Sequence, residues 1–168
     1  MLSIHDAILY GNYGVCQIVD IRQENFCQKG TLYYVLSPID DPHSTIYCPV
    51  ETGAGRMRPL LTPVQADELI RSIPTIAPKW IENAQARRDQ YRKILKNGDR
   101  RELIMLIKTL YESRTGKAQA GKRMSASDEE ALREAERLLH HELAYVLKLD
   151  PDQVTGYIAH QLDKDAQA

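Results

Sequence analysis

The chain has 168 residues, 43% apolar and 27% charged, with a net charge of −1. That length and balance suit one ordinary domain or two small ones and exclude a disordered chain, and the small net charge excludes a global field steering the whole molecule to nucleic acid or membrane. No apolar run approaches the ~20 residues of a spanning helix, and three widely spaced cysteines, Cys16, Cys27 and Cys48, exclude a disulfide framework.

The opening Met1-Leu2-Ser3-Ile4-His5-Asp6 lacks the basic start and apolar block of a secretory signal, so a reducing cytoplasm is the expected location. Ala7-Ile8-Leu9-Tyr10 then meets a glycine-bracketed turn, Gly11-Asn12-Tyr13-Gly14. Val15 to Ile21, Thr31 to Leu36, Ser44 to Val50 and Arg56 to Leu60 continue as short segments rich in β-branched and aromatic residues, and Pro49 suits an edge or a strand end. Four or five short strands in about sixty residues predict a small closed or nearly closed sheet of the SH3 or Tudor kind. Cys16 and Cys48 read as small core residues. A partner is expected at a sheet edge or an aromatic rim.

From residue 62 the period changes. Thr62-Pro63 predicts an N-cap and first turn for a helix to about Ser72, with Ala66, Leu69 and Ile70 inward, and Ile73 to Pro78 reads as a linker. A second helix is expected from Lys79 to Lys96, stopped by Asn97-Gly98, and a third capped by Asp99 with Glu102. Residues 113–125 read as a basic, glycine-containing loop. Ser127 with Glu130 reads as the capping box of a helix to Leu147, and Asp150-Pro151 starts a last one. The expected architecture is α+β: a small β-barrel over residues 1–61, a helix and linker over 62–78, and a helical domain over 79–168.

The net charge hides a segregation. Residues 1–78 carry 5 basic against 8 acidic residues, residues 79–123 carry 13 against 5, and residues 124–168 carry 4 against 10. The basic block is either a solvated helical face or the footprint of a phosphate-binding surface. Within it Arg88, Arg92 and Lys96 recur every fourth residue, flanked by Arg87 and Lys93. Like charges at that spacing destabilise a helix by ~0.2–0.5 kcal/mol per pair, and a polyanion reverses the sign through counterion release. Trp80, the only tryptophan, opens this stretch. Pattern alone favours packing it in a core; an exposed ring beside a basic stripe would instead suit a wedge in a nucleic-acid groove. The adjacent His140 and His141 point to different faces and form no metal pair, and no catalytic set or cofactor motif is visible.

Taken in order, Ile4-His5-Asp6-Ala7-Ile8-Leu9-Tyr10 with Gly14-Val15, Tyr33-Tyr34-Val35-Leu36, Thr45-Ile46-Tyr47-Cys48-Pro49-Val50, Met57-Arg58-Pro59, Gly98-Asp99 with Glu102-Leu103-Ile104, and Ala135-Glu136-Arg137-Leu138-Leu139 resemble the CarD/CdnL family of bacterial transcription regulators. The resemblance spans nearly the whole chain. It implies a Tudor-like barrel docking on the β subunit of RNA polymerase, here through Thr45, Ile46, Tyr47 and Cys48, with a proline at Ile46 expected to weaken the complex. It also implies a helical domain reaching promoter DNA at the upstream edge of the bubble, where Trp80 wedges and Arg87, Arg88, Arg92, Lys93 and Lys96 contact phosphates. A cytoplasmic, monomeric, non-enzymatic regulator without cofactor or metal follows; a polymerase-bound adaptor without the DNA wedge is the second reading. His5 stands where the family usually has glycine, and the family's tryptophan usually lies nearer Ala84. Glu129, Glu130, Glu134 and Glu136 stand on a helix that is usually basic, which concentrates the expected DNA contact in residues 79–123.

Overall fold

The computed structural model describes residues 1–168. The chain forms two compact units, Met1–Leu60 and Leu61–Ala168.

The first unit is a five-stranded antiparallel sheet: β1 (Ala7–Tyr10), β2 (Val15–Glu24), β3 (Thr31–Pro38), β4 (Ile46–Pro49) and β5 (Met57–Arg58), in the order β4-β3-β2-β1-β5. Gly11 and Gly14 carry positive φ at the β1–β2 turn, a backbone that side chains with a Cβ rarely adopt. The register of β2 on β3 shifts between Ile18 and Asp20. This bulge sends Val19 to solvent while Ile18 stays fully buried, which explains why strict alternation breaks in that stretch. Ile8, Tyr10, Cys16, Ile18, Tyr34, Leu36 and Cys48 form the core.

His5 has φ 79°, and its N–H donates to the Ile18 carbonyl at 2.7 Å. The turn therefore needs a left-handed residue, and an imidazole-bearing residue occupies it under strain. His5→Gly is expected to stabilise the first unit by about 1 kcal/mol, after subtracting glycine's greater freedom in the unfolded chain. An upward shift of the denaturation midpoint checks this; an unchanged or lower midpoint refutes it.

The second unit contains α1 (Pro63–Ser72), α2 (Ala84–Asn97), α3 (Arg100–Gln119), α4 (Ala126–Leu147) and α5 (Val154–Ala166). Thr62 and Gln65 form the reciprocal capping box of α1. Gly98, with φ 63°, ends α2, and the Asp99 carboxylate accepts the Glu102 N–H to start α3. Ile76 is buried and packs with Ala66, Ile70, Ile104, Leu139, Leu143 and Val154, so the stretch expected as a linker is part of the helical unit. A second cluster joins Tyr91 and Ile94 of α2 to Leu103, Leu106 and Leu110 of α3 and Leu132 and Ala135 of α4.

Three boundaries differ from expectation. The helix α2 starts at Ala84 because the Asn83 side chain accepts the Ala86 N–H, leaving residues 79–83 non-helical. The helix α3 runs on to Gln119 through Gly116, since one interior glycine costs only ~1 kcal/mol; the loop is reduced to residues 120–125. The cap of α4 is Ser125, whose hydroxyl accepts the Asp128 N–H, not Ser127.

A candidate docking edge and a candidate nucleic-acid interface

The strand β4 has one hydrogen-bonded neighbour, β3, and is an edge of its sheet. Val35 faces Tyr47, Leu36 faces Ile46 and Tyr34 faces Cys48, and the Val50 N–H donates to the Leu32 carbonyl at 2.9 Å. Bonded pairs alternate along an antiparallel ladder. The backbone groups of Ile46 and Cys48 therefore point to β3, and those of Tyr47 and Pro49 point outward. Pro49 thus places its missing N–H on the free side. A proline at Ile46 would break the β3–β4 ladder rather than the open edge, which corrects the expected test. Cys48 is fully buried, so its side chain drops out of the candidate contacts, while Thr45 is exposed and Ile46 and Tyr47 are half-buried.

Beside that edge lies a group the sequence analysis missed. Phe26, 58% exposed, meets the rings of Tyr33 and Tyr47 edge-on at 5.6 and 4.8 Å between centroids. Arg22 donates to the Tyr47 hydroxyl at 2.8 Å, lies 5.6 Å from that ring's centroid, and pairs with Asp20 and Glu24. The outward strand edge is thus bordered by an aromatic surface carrying a preorganised arginine, a composition enriched in protein interfaces. The bracketing of β2 and β3 around an apolar tip residue, Phe26, was the available signal.

Trp80 lies in the non-helical segment before α2 and belongs to none of the core clusters. It is 37% exposed. The Arg87 guanidinium carbon lies 4.4 Å from the ring centroid and the Lys117 ammonium 5.4 Å from it, both within cation–π range. The Lys79 N–H donates to Thr109 Oγ1 of α3 at 2.8 Å, and Pro78, Trp80, Thr109, Ser113 and Lys117 line one groove. The tryptophan is therefore a surface ring seated on α3, and the packed-core reading is not what the fold adopts. Lys117 reaches it only because α3 continues through the stretch expected to be a loop.

The basic helix divides. Arg88, Arg92, Lys93 and Lys96 are exposed on α2; Arg88 donates to Gln85 at 2.8 Å and Arg92 pairs with Asp89 at 3.5 Å. Arg87 is buried: its Nε donates to Asp128 at 3.2 Å, and its Nη1 donates to the carbonyls of Ile81 and Glu82. Arg87 is therefore removed from the expected phosphate contacts, because it is buried and its Nε and Nη1 are committed to Asp128, Ile81 and Glu82. Arg88 and Arg92 line a groove with Tyr91, Ser127, Glu130 and Glu134, so acidic residues of α4 border the stripe. Burial, reinforced by the Asp128 charge, pushes the Tyr91 hydroxyl up to about 12, and it stays neutral.

The comparisons with known proteins bear on both units. The family model described as the CarD-like/TRCF RID domain matches residues 2–61, and that of the CarD C-terminal domain matches residues 75–159. The chain belongs to the CarD family. CarD proteins are non-enzymatic transcription factors that interact with RNA polymerase, and the matched RID domain is the unit that carries β4 and its aromatic border. The CarD C-terminal domain carries Trp80 and the exposed cations of α2. A search of curated proteins found no match. No group of three His, Cys, Asp or Glu side chains is placed to hold a metal ion, and no helix is long and apolar enough to cross a membrane.

Proposed function

We propose that the chain docks on the β subunit of RNA polymerase through the open side of β4 and steadies the promoter open complex by wedging Trp80 at the upstream edge of the bubble. The observation that carries the reading is the single tryptophan held on the surface beside two cationic side chains. A flat apolar ring beside cations suits an unstacked base step, whose opening costs a few kcal/mol. Arg88, Arg92, Lys93 and Lys96 then contact phosphates without reading bases. The acidic flank Glu130 and Glu134 keeps α4 away from the backbone of the DNA.

Trp80→Ala is the decisive variant. It is expected to leave folding and polymerase binding intact and to shorten the open-complex lifetime about tenfold, which is ~1.4 kcal/mol of barrier. Weak complexes at unchanged lifetime, or an unchanged lifetime with intact binding, would instead support the polymerase-bound adaptor.

The docking edge has its own test. Tyr47→Ala removes the ring that Phe26 and Arg22 contact; Tyr47→Pro removes in addition the outward N–H. If a strand of the polymerase β subunit adds to β4, the proline variant binds at least tenfold more weakly than the alanine variant. Equal affinities would sink the edge-pairing model and leave the aromatic surface as the contact.

A further inference from the structure

Arg87 touches three consecutive residues of the segment that precedes its own helix. Its Nη1 donates to the Ile81 carbonyl at 2.9 Å and the Glu82 carbonyl at 3.3 Å, and its guanidinium lies 4.4 Å from the centroid of the Trp80 ring. Its Nε is fixed by Asp128 in the first turn of α4 at 3.2 Å. Residues 79–83 have no helical or strand ladder of their own, so this fork, with the Lys79 N–H bond to Thr109 and Lys117 beside the ring, is what ties the tryptophan segment to the helices behind it. As a stabiliser the ion pair is poor. Asp128 is fully buried and its Oδ2 has no hydrogen-bond partner, and a buried pair with an unsatisfied oxygen contributes little over an apolar replacement. What the pair supplies is direction: a planar guanidinium fixed through Nε and Nη1 keeps one position over the indole, which a freely rotating ammonium does not.

We propose that Arg87 and Asp128 form a positioning pair that holds the Trp80 ring in the pose it presents to DNA. The proposal rests on the wedge reading and deepens it. Arg87 makes no DNA contact; it acts through Trp80 by removing the orientational freedom that the ring would otherwise lose on inserting.

The lone tryptophan makes the test direct, because fluorescence excited at the red edge of the indole band, beyond the absorption of the nine tyrosines, reports this ring alone. Arg87→Lys keeps a positive charge opposite Asp128 and removes the flat face and the forked donors. In the free, folded variant the acrylamide quenching constant of Trp80 is expected to rise at least twofold and its anisotropy to fall. On polymerase, the open-complex lifetime is expected to drop most of the way to that of Trp80→Ala. A merely structural or electrostatic role would be rescued by lysine, so unchanged quenching in folded Arg87→Lys overturns the proposal. If that variant loses its fold, the Arg87→Met/Asp128→Asn pair, which removes both charges together, carries the same measurement and the same criterion. Should Trp80→Ala itself leave the lifetime unchanged, the wedge reading falls and takes the DNA half of the proposal with it; the quenching of free protein still decides whether the pair positions the ring.

Discussion

Glu142→Ala is expected to cost the folded chain about 3 kcal/mol, the low end of the range for removing one partner of a buried ion pair, because Arg100 keeps 21% of its side chain exposed to water. The Glu142 side chain on α4 is 2% exposed. Its carboxylate accepts Nε and Nη2 of Arg100 at 2.8 and 2.6 Å and the N–H of Leu61 at 3.1 Å. Arg100 is the first residue of α3, where the helix dipole disfavours a cation, so its place there depends on the carboxylate. Leu61 immediately precedes the Thr62 cap of α1. One side chain thus ties the entry of α1 to the start of α3, and truncating it leaves a half-buried N–H without an acceptor. Glu142→Gln keeps the shape and an acceptor oxygen and is expected to lose less, about 1–3 kcal/mol. Urea unfolding followed by Trp80 fluorescence measures both. A loss below ~1 kcal/mol for the alanine variant would show that the clamp is dispensable.

Where the chain's local chemistry agrees with its tertiary context, the fold was legible. Thr62-Pro63, Asn97-Gly98 and Asp99 punctuate helices as their backbone chemistry demands, and each does so in the structure. Boundaries were lost where two signals competed. The helix expected to follow the linker at Lys79 begins instead at Ala84, because the Asn83 carboxamide caps it. Gly116 suggested a break, yet packing of α3 against α4 outweighs one glycine. Ser127 with Glu130 has the spacing of a capping box, yet α4 starts just after Ser125, whose hydroxyl accepts the Asp128 N–H.

The site was legible in composition and not in geometry. Clustering of cations in residues 79–123 located the basic surface, but the pattern gave no means to separate Arg87 from Arg88. That separation comes from Asp128, 41 positions away, and a buried arginine is indistinguishable in sequence from its exposed neighbour. Pattern places Trp80 on a helix and so in a core; in the structure it lies off the helix and needs no core to receive it. Cys48 was grouped with Tyr47 as a contact, although alternation in a strand sends neighbours to opposite faces. The inward side chain is the core residue, and only the outward one meets Arg22 and Phe26.

The same inward face yields the second stability prediction. Gly53 lies between β4 and β5 and is buried. A Cβ built there would sit 2.0 Å from Cys48 Sγ and 3.6 Å from its Cβ. Cys48 is fully buried among Ile8, Tyr10, Cys16, Ile18, Tyr34 and Leu36, so moving the sulfur disturbs the packing of the core. Burial pushes the Cys48 thiol up, and it remains a neutral, apolar-packed group. Gly53→Ala is therefore expected to destabilise the first unit by about 1–3 kcal/mol through overpacking. The clash has a single partner, which makes it separable. Cys48→Ala alone removes one buried sulfur and is expected to cost about 1 kcal/mol. In that background the new methyl enters the space the sulfur vacates, and Gly53→Ala should become close to neutral. The double-mutant cycle would then show a favourable coupling of at least ~1 kcal/mol, read as the difference in unfolding free energy among four variants. Strict additivity would mean that the glycine is required for its backbone and not for the sulfur above it.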